Sequence, residues 1–375
     1  MGVLCAMLIV IQLFGGFRGL KAALKMGAVI RVMDSQFVTD YDEDMVIDSA
    51  MAGAVSGLDD RWSYYMDAEA YADYMDYSAN LYQGIGVTIQ KDEETGGFRI
   101  VTINKDGPAQ RVGILAGDII LAVDGISVTE GDTSDVRALI QADYGKEAIV
   151  TVQHEDGSRE DFTVSCEVIY STPVTFELLE GDVGYIIIEN FREGASDDAI
   201  NAVSELITDG AECLVFDVRN NPGGQLTELV KLLDYLLPEG DVFVRTDRNG
   251  RESVETSDAD CVELPIAVLV NGDSYSAAEF FAAALQEYDW AEVVGEPTTG
   301  KARSQVTVEL YDGSAVHLSK YSYLTPNRVD LYEAGGIVPD VLSTLTEEER
   351  QKLDTGWLEP AEDPQLQAAI DDLQS

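Results

Sequence analysis

Histidine is nearly missing from this chain: 375 residues include only two, His154 and His317. A nucleophile that depends on an imidazole base therefore has two positions to draw on. His154 lies in Q-H-E-D-G, which reads as a hairpin tip, and His317 lies inside an alternating strand, A-V-H-L-S-K-Y. Both read as surface or half-buried side chains, so a Ser-His-Asp system is not expected. Cysteine is scarce too. Cys5, Cys166, Cys213 and Cys261 form no C-x-x-C pair and no metal-ligand spacing, which argues against a disulfide framework or a zinc site, and no metal or cofactor is expected. Basic residues are few: 24 stand against 69 acidic ones, a formal net charge of −45. Such a surface repels phosphate backbones and anionic headgroups, so nucleic acid is not an expected partner. A single long apolar run, M-G-V-L-C-A-M-L-I-V-I-Q-L-F-G-G-F, stays uncharged for 17 residues before Arg18, Lys21 and Lys25. A spanning helix needs about 20 apolar residues. No basic stretch precedes the run and no clear cleavage site follows it. Residues 1–26 are read as a membrane anchor rather than a signal peptide or a core helix. Internal repeats and low-complexity linkers are also absent.

The length suffices for two or three domains with true cores, and a hydrophobic content of 46% marks a globular chain. Residues 27–82 read as a helical region; D-E-D-M-V-I-D-S-A-M-A-G-A-V-S-G-L places apolar side chains at three- and four-residue steps. Residues 83–170 change to short alternating strands. G-I-G-V-T-I-Q, F-R-I-V-T-I, D-I-I-L-A-V-D-G, A-I-V-T-V-Q and D-F-T-V-S are five strand candidates. G-P-A-Q-R-V-G-I is a short helix start and T-S-D-V-R-A-L-I-Q-A a full helix between them. Residues 171–375 change again, to unbroken apolar runs of the kind that parallel strands buried on both faces require: G-Y-I-I-I-E-N-F, C-L-V-F-D-V-R-N, I-A-V-L-V-N and A-E-V-V-G-E. Helical stretches separate them, which predicts an α/β domain with right-handed crossovers. Chemistry in such sheets gathers in loops at the carboxyl ends of strands. Three glycine-bearing loops lie there: R-N-N-P-G-G (219–224), N-G-D-S-Y-S (271–276) and E-P-T-T-G-K (296–301).

Two serines, Ser274 and Ser276, sit where the apolar run P-I-A-V-L-V-N gives way to a helix. Ser276-Ala277-Ala278-Glu279 fits a capping box, which by itself explains a serine at a helix head. A helix amino terminus also favours developing negative charge and offers free amides, so beside the favoured capping reading Ser276 is a candidate nucleophile. With no histidine nearby, its base would be a lysine whose amine loses its proton through burial; Lys301 is the candidate, with Gln305 able to hold the amine by hydrogen bond. Gly223 and Gly224 either let backbone amides approach an oxyanion or form a tight strand-to-helix turn.

At these residues the chain resembles the carboxyl-terminal processing peptidases, or tail-specific proteases. The family's N-x-G-S-A-S-A-S-E and G-E-x-T-x-G-K-x-x-x-Q elements are matched by N-G-D-S-Y-S-A-A-E and G-E-P-T-T-G-K-A-R-S-Q, and Ser276 precedes Lys301 by the family's 25 residues. F-D-V-R-N-N-P-G-G is similar to the family's D-L-R-N-N-x-G-G, L-D-D-R-W-S-Y-Y to its L-D-D-P-Y-S-x-Y, and D-G-P-A-Q-R-V-G-I-L-A-G-D-I-I-L-A-V-D-G to its PDZ domain. The chain departs from the pattern at Tyr275 for alanine, Ala278 for serine and Thr299 for phenylalanine, and the stretch between Thr325 and Gly336 lacks the family's common glycine.

The resemblance implies a ClpP/crotonase-like α/β protease core (171–375) with an inserted PDZ domain (83–170) behind the helical region. It implies catalysis by Ser276, Lys301 and Gln305, and an oxyanion hole from the amides of Gly224 and Ala277. The amides of Gly84, Ile85, Gly86 and Val87 would receive a substrate's terminal carboxylate as the tail adds a strand to the PDZ sheet. The expected function is ATP-independent serine endopeptidase action on polypeptides captured by their carboxyl termini. The catalytic body would lie outside the cytoplasm on a single-pass anchor, with pairing through the amino-terminal helices. The alternatives are a tail-binding scaffold without turnover, and a binder of apolar small molecules.

Overall fold

The computed structural model describes residues 12, 16–140 and 145–374, and the chain divides into two compact units, Met1–Arg61 and Trp62–Ser375. In the first unit, α1 (Gly16–Gln36) is followed by α2 (Glu43–Ser56). Asp42 caps α2, its carboxylate accepting from the Met45 amide at 3.0 Å, and Glu43 and Asp44 place negative charge in the first turn. Neither helix buries a residue. The apolar run expected to be an anchor lies largely outside the described residues. Among those described, no helix is long and apolar enough to cross a membrane; Arg18, Lys21, Lys25 and Arg31 interrupt α1.

The second unit begins inside the stretch expected to be helical as far as residue 82. That stretch breaks at Trp62: β1 (Tyr64–Met66) joins a sheet before α3 (Ala68–Ser78) and β2 (Leu81–Gly84). The aromatic run Tyr64-Tyr65-Met66 favours an extended chain, and a strand of three residues is too short to register as a change of period.

The alternating segments form β3 (Val87–Lys91), β4 (Phe98–Ile103), β5 (Ile119–Val123), β6 (Ile126–Ser127), β7 (Glu147–Gln153) and β8 (Arg159–Ser165), with α4 (Pro108–Val112) and α5 (Thr133–Ile140) between them. All five expected strands are present, in the antiparallel order β3-β4-β5-β7-β8, with β6 added to β5. Every second side chain points inward: Phe98 and Ile100, Ile120, Val150 and Val152 close a core under Val136 of α5. β9 (Glu167–Tyr170) then returns antiparallel to β2, so the strands leading into and out of this module are tied side by side.

The remaining chain runs β10 (Val174–Leu179), β11 (Val183–Ile188), α6 (Ala195–Asp209), β12 (Cys213–Asp217), α7 (Leu226–Leu236), β13 (Gly240–Thr246), β14 (Glu252–Ser257), β15 (Ile266–Val270), α8 (Ala277–Glu287), β16 (Ala291–Gly295), β17 (Arg303–Glu309), β18 (Ala315–Leu324), α9 (Leu331–Ala334), β19 (Val341–Leu342), α10 (Glu347–Thr355) and α11 (Pro364–Leu373). One sheet has the order β10-β11-β12-β15-β16-β19, parallel throughout except for β10. Its central strands are the predicted unbroken apolar runs; every residue of β12 and β15 is buried. A second, antiparallel sheet has the order β1-β18-β13-β14 with β17 on β18. The alanine-rich α8 packs against strands of both sheets and is buried from Ala277 to Leu285. Its Phe280 and Phe281 meet Phe243 and Phe216 edge-on at 5.1 and 5.4 Å.

At the end of β12 the buried Arg219 binds Asp217 and Asp363 at 2.5 and 2.6 Å and donates to Gln365, which fastens α11 beneath the loop at 219–224. Truncating Arg219 would leave two buried carboxylates without their cation.

Candidate active site

β12, β15 and β16 are neighbouring parallel strands. The three glycine-bearing loops that follow them therefore emerge from one edge, as the sequence predicts.

The loop after β15 treats its two serines differently. Ser274 is fully buried; its hydroxyl donates to Val218 O at 2.7 Å and accepts from the Asn271 amide at 3.0 Å. It locks the turn. Asn271 cross-links to the neighbouring loop, accepting from the Asn220 amide and donating to the Asn220 side chain at 2.7 Å. Ser276 stands at the cap position of α8, but with φ 59° and ψ −123° rather than the extended backbone of ordinary caps. A non-glycine residue there is strained, and strain of this kind persists only where the surroundings enforce it. Tyr275 on one side is pinned by its amide to Asn221 O at 3.1 Å, and Ser276 itself donates its amide to Glu279 at 2.9 Å.

Glu279 does more than complete a capping pattern. It is fully buried and accepts four bonds: from the amides of Ser276 and Lys301 on Oε2 (2.9 and 2.8 Å), and from the Gly300 amide and the Thr298 hydroxyl on Oε1 (both 2.6 Å). One carboxylate thus joins the serine loop to the lysine loop.

The glycine loop approaches from the other side. A Cβ at Gly223 would sit 2.8 Å from both Ser276 Cβ and the Ala277 amide nitrogen; one at Gly224 would lie 2.1 Å from Phe191 O. Both positions exclude side chains, Gly223 also through a φ of +84°. Among the described residues neither the Gly224 nor the Ala277 amide donates a hydrogen bond.

Ser276, Lys301, Gln305, Gly223 and Gly224 line one cavity of about 430 Å³. The lysine ammonium lies 4.0 Å from the centre of the Trp62 ring and 5.4 Å from that of Tyr275. Gln305 stands at a bulge in β17, its amide nitrogen donating to Arg303 O at 3.0 Å and Ser319 Oγ at 3.2 Å. Of the departures from the family pattern, Tyr275 forms part of the wall, Ala278 is buried in α8, and the Thr299 hydroxyl donates to Gly272 O.

Several lining residues were not foreseen, among them a histidine. His317, on β18, faces this cavity. It bonds Thr307 Oγ1 at 2.8 Å, stacks on Tyr64 at 4.7 Å and meets Tyr74 edge-on at 5.6 Å. Burial, helped by the charge on Lys301, pushes its pKa from the usual 6.5 down to about 4, so it is neutral at physiological pH. His154 behaves as expected, at the β7–β8 tip and away from the cavity, with its pKa raised by a hydrogen bond to Asp118 at 2.7 Å.

Residues 84–87 connect β2 to β3. The carbonyls of Ile85 and Gly86 are taken by the amides of Ala109 and Asn104, both at 2.9 Å. Both residues are buried, and among the described residues their own amides donate no bond.

Residues 182–343 match the profile of Peptidase family S41 and residues 99–154 that of a PDZ domain. The chain is 31% identical over 322 residues to the "Probable CtpA-like serine protease" of Staphylococcus aureus (strain COL), covering 84% of this chain and 64% of that relative. The carboxy-terminal processing protease CtpA of Bacillus subtilis (strain 168) is 29% identical over 323 residues, 86% of this chain and 69% of CtpA. The chain thus carries a Peptidase family S41 core and a PDZ domain, the two parts of the carboxyl-terminal processing peptidases that it resembles. Among solved structures of similar fold, a photosystem II D1 C-terminal processing protease superposes with a TM-score of 0.52 at 26% identity, over 90% of this chain and 92% of that one. The chain spans 64% of the length of its Staphylococcus relative. Of its departures from the family pattern, Tyr275 falls in the cavity wall.

Proposed function

We propose that this chain is a serine endopeptidase that cuts polypeptides at Ser276 with Lys301 as general base. The strained backbone of Ser276, in one cavity with Lys301 and with two unbonded amides beside it, is the observation that carries this reading. The Ser276 hydroxyl adds to the scissile carbonyl carbon and passes its proton to the neutral Lys301 amine. The amides of Gly224 and Ala277 stabilise the oxyanion. Collapse expels the peptide amine, which takes the proton from Lys301 and leaves an ester on Ser276. Water attacks that ester, again losing a proton to Lys301, and releases the new carboxyl terminus. Gln305, with its amide nitrogen engaged, has its carbonyl oxygen to orient the lysine. No aspartate or glutamate lines the cavity, which favours the neutral amine; the Trp62 and Tyr275 rings favour the ammonium.

The buried amides at Ile85 and Gly86 suit a terminal carboxylate, so we assign Gly84, Ile85, Gly86 and Val87 to tail capture by the PDZ module, residues 83–170. Docking there raises the local concentration of substrate at Ser276. An extracytoplasmic position for residues 171–375, and pairing through α1 and α2, rest on the family resemblance. Hydrolysis of an unfolded protein with an apolar tail tests the assignment, with wild type, Ser276→Ala and Lys301→Ala compared. Each substitution is expected to remove cleavage, and undiminished cleavage by either would reject its role. A scaffold without turnover would fail to take up a serine-directed phosphonate on Ser276.

A further inference from the structure

The cavity lining carries three cations, Arg192, Arg245 and Lys301, and no acidic side chain, in a chain of formal charge −45. Arg245 is paired with Glu255 at 3.1 Å. Arg192 is not paired: among the described residues no carboxylate lies within ion-pair distance of its guanidinium. That group is half-buried, its central carbon 3.4 Å from the centre of the Tyr77 ring. Its Nη1 makes two long contacts of 3.5 Å, to Tyr77 O and Asn80 Oδ1.

The backbone beneath it is fixed to the glycine loop. Phe191 donates its amide to Gly223 O at 2.9 Å and accepts from the Gln225 amide at 2.6 Å, and Arg192 donates its own amide to Asn190 Oδ1 at 2.9 Å. Arg192 is therefore one residue from the segment that touches Gly224. The same guanidinium lines a second cavity of about 280 Å³, which shares Tyr77, Arg192 and Pro222 with the first and extends to Tyr82 on β2. Glu189 lines that second cavity; burial raises its pKa, and the charge on Arg192 acts in the opposite direction.

A guanidinium is a planar fork that matches a carboxylate with two parallel bonds, and stacking on an aromatic ring orients the fork in advance. Partial desolvation with no carboxylate of the described residues in ion-pair distance, Glu189 acting on it only from farther off, leaves the fork open to an incoming carboxylate. We propose that Arg192 binds a carboxylate of the peptide lying in this cavity, an acidic side chain or the terminal carboxylate, and so gives the enzyme a preference for substrates acidic near the cut. The assignment rests on Ser276 as the reacting group in the same cavity.

The test uses quenched fluorescent peptides that share one cleavage sequence. One arm compares Glu with Gln at successive positions on either side of the cut, all with amidated ends. The other compares a free terminal carboxylate with the amide on a neutral peptide. Wild type is expected to favour the carboxylate form in at least one arm by about tenfold or more in kcat/KM. Arg192→Gln is expected to bring the ratio close to one, with Arg192→Lys in between. A preference in the first arm identifies the side chain as the source, and one in the second the chain end. Equal rates in both arms for wild type, or a preference kept by Arg192→Gln, would overturn the proposal. Failure of the serine reading appears separately, as no hydrolysis of any peptide. In that case fluorescence anisotropy on Ser276→Ala protein, with and without Arg192→Gln, decides the same ratio from Kd.

Discussion

The two sides of the cavity are built from different materials. The side formed by the parallel sheet holds Ser276, Gly223 and Gly224 through main-chain bonds and the buried side chains of Asn271, Ser274 and Glu279. The side facing it comes from the antiparallel sheet and the segment leading into it. It supplies Trp62, Gln305 and His317, held by ring stacking, cation–π contact and hydrogen bonds between side chains. Backbone geometry locked by buried polar groups cannot shift without losing bonds that nothing else replaces. Ring contacts worth about 1 kcal/mol each leave room for adjustment. In the proposed mechanism the serine side fixes where reaction occurs, and the facing side surrounds the lysine amine.

Substitutions on the first side should therefore cut activity far more deeply than those on the second. Gly224→Ala forces a methyl against Phe191 O, 2.1 Å from its ideal position, and displaces one oxyanion amide. A loss of about 10²- to 10³-fold in kcat is expected, together with a lower Tm by calorimetry. Glu279→Gln replaces an acceptor of four bonds by a group whose amide nitrogen cannot accept. Ser276 and Lys301 then lose their shared tether, and kcat should drop about 10²-fold. A fall in Tm with kcat kept would assign Glu279 to the fold alone.

On the facing side, Trp62→Leu removes the ring that favours the ammonium of Lys301. The acidic limb of the kcat/KM profile should move to lower pH by about half a unit to one unit, with a modest change in the plateau. A shift to higher pH would break the comparison. His317 gives the smallest effect, in stability. Unfolded, it takes up a proton near pH 6.5; folded, near 4. Between those values the unfolded chain holds more protons, so stability falls as the pH drops from about 6.5 to 4. Allowing for solvent screening, the loss is about 1–2 kcal/mol. His317→Phe should flatten that part of the denaturation profile, and nuclear magnetic resonance should place the wild-type midpoint near 4.

Strand period made the module between β3 and β8 legible, because each strand keeps one wet and one dry face. Unbroken apolar runs did the same for β11, β12, β15 and β16. The loops carrying Ser276 and Lys301 were legible because parallel strands deliver their carboxyl ends to one edge. The antiparallel sheet was not. β13, β14 and β17 mix polar and apolar residues, since they are covered on one face only in part. His317 was passed over because it lies on a strand rather than in a loop. A signal was present: in A-V-H-L-S-K-Y-S-Y, residues 317, 319, 321 and 323 share a face, and His317, Tyr321 and Tyr323 line the cavity while Ser319 bonds Gln305. The role of Trp62 could not be read at all, because a ring over an ammonium depends on segments distant in sequence meeting in the fold.

The partnership of Ser276 with Lys301 is tested most directly by the rate at which a peptidyl phosphonate modifies the intact chain, followed by mass spectrometry. A single adduct on Ser276 is expected, forming at least about 10²-fold more slowly in Lys301→Ala. An adduct on another residue, or an equal rate in the lysine variant, would contradict that partnership.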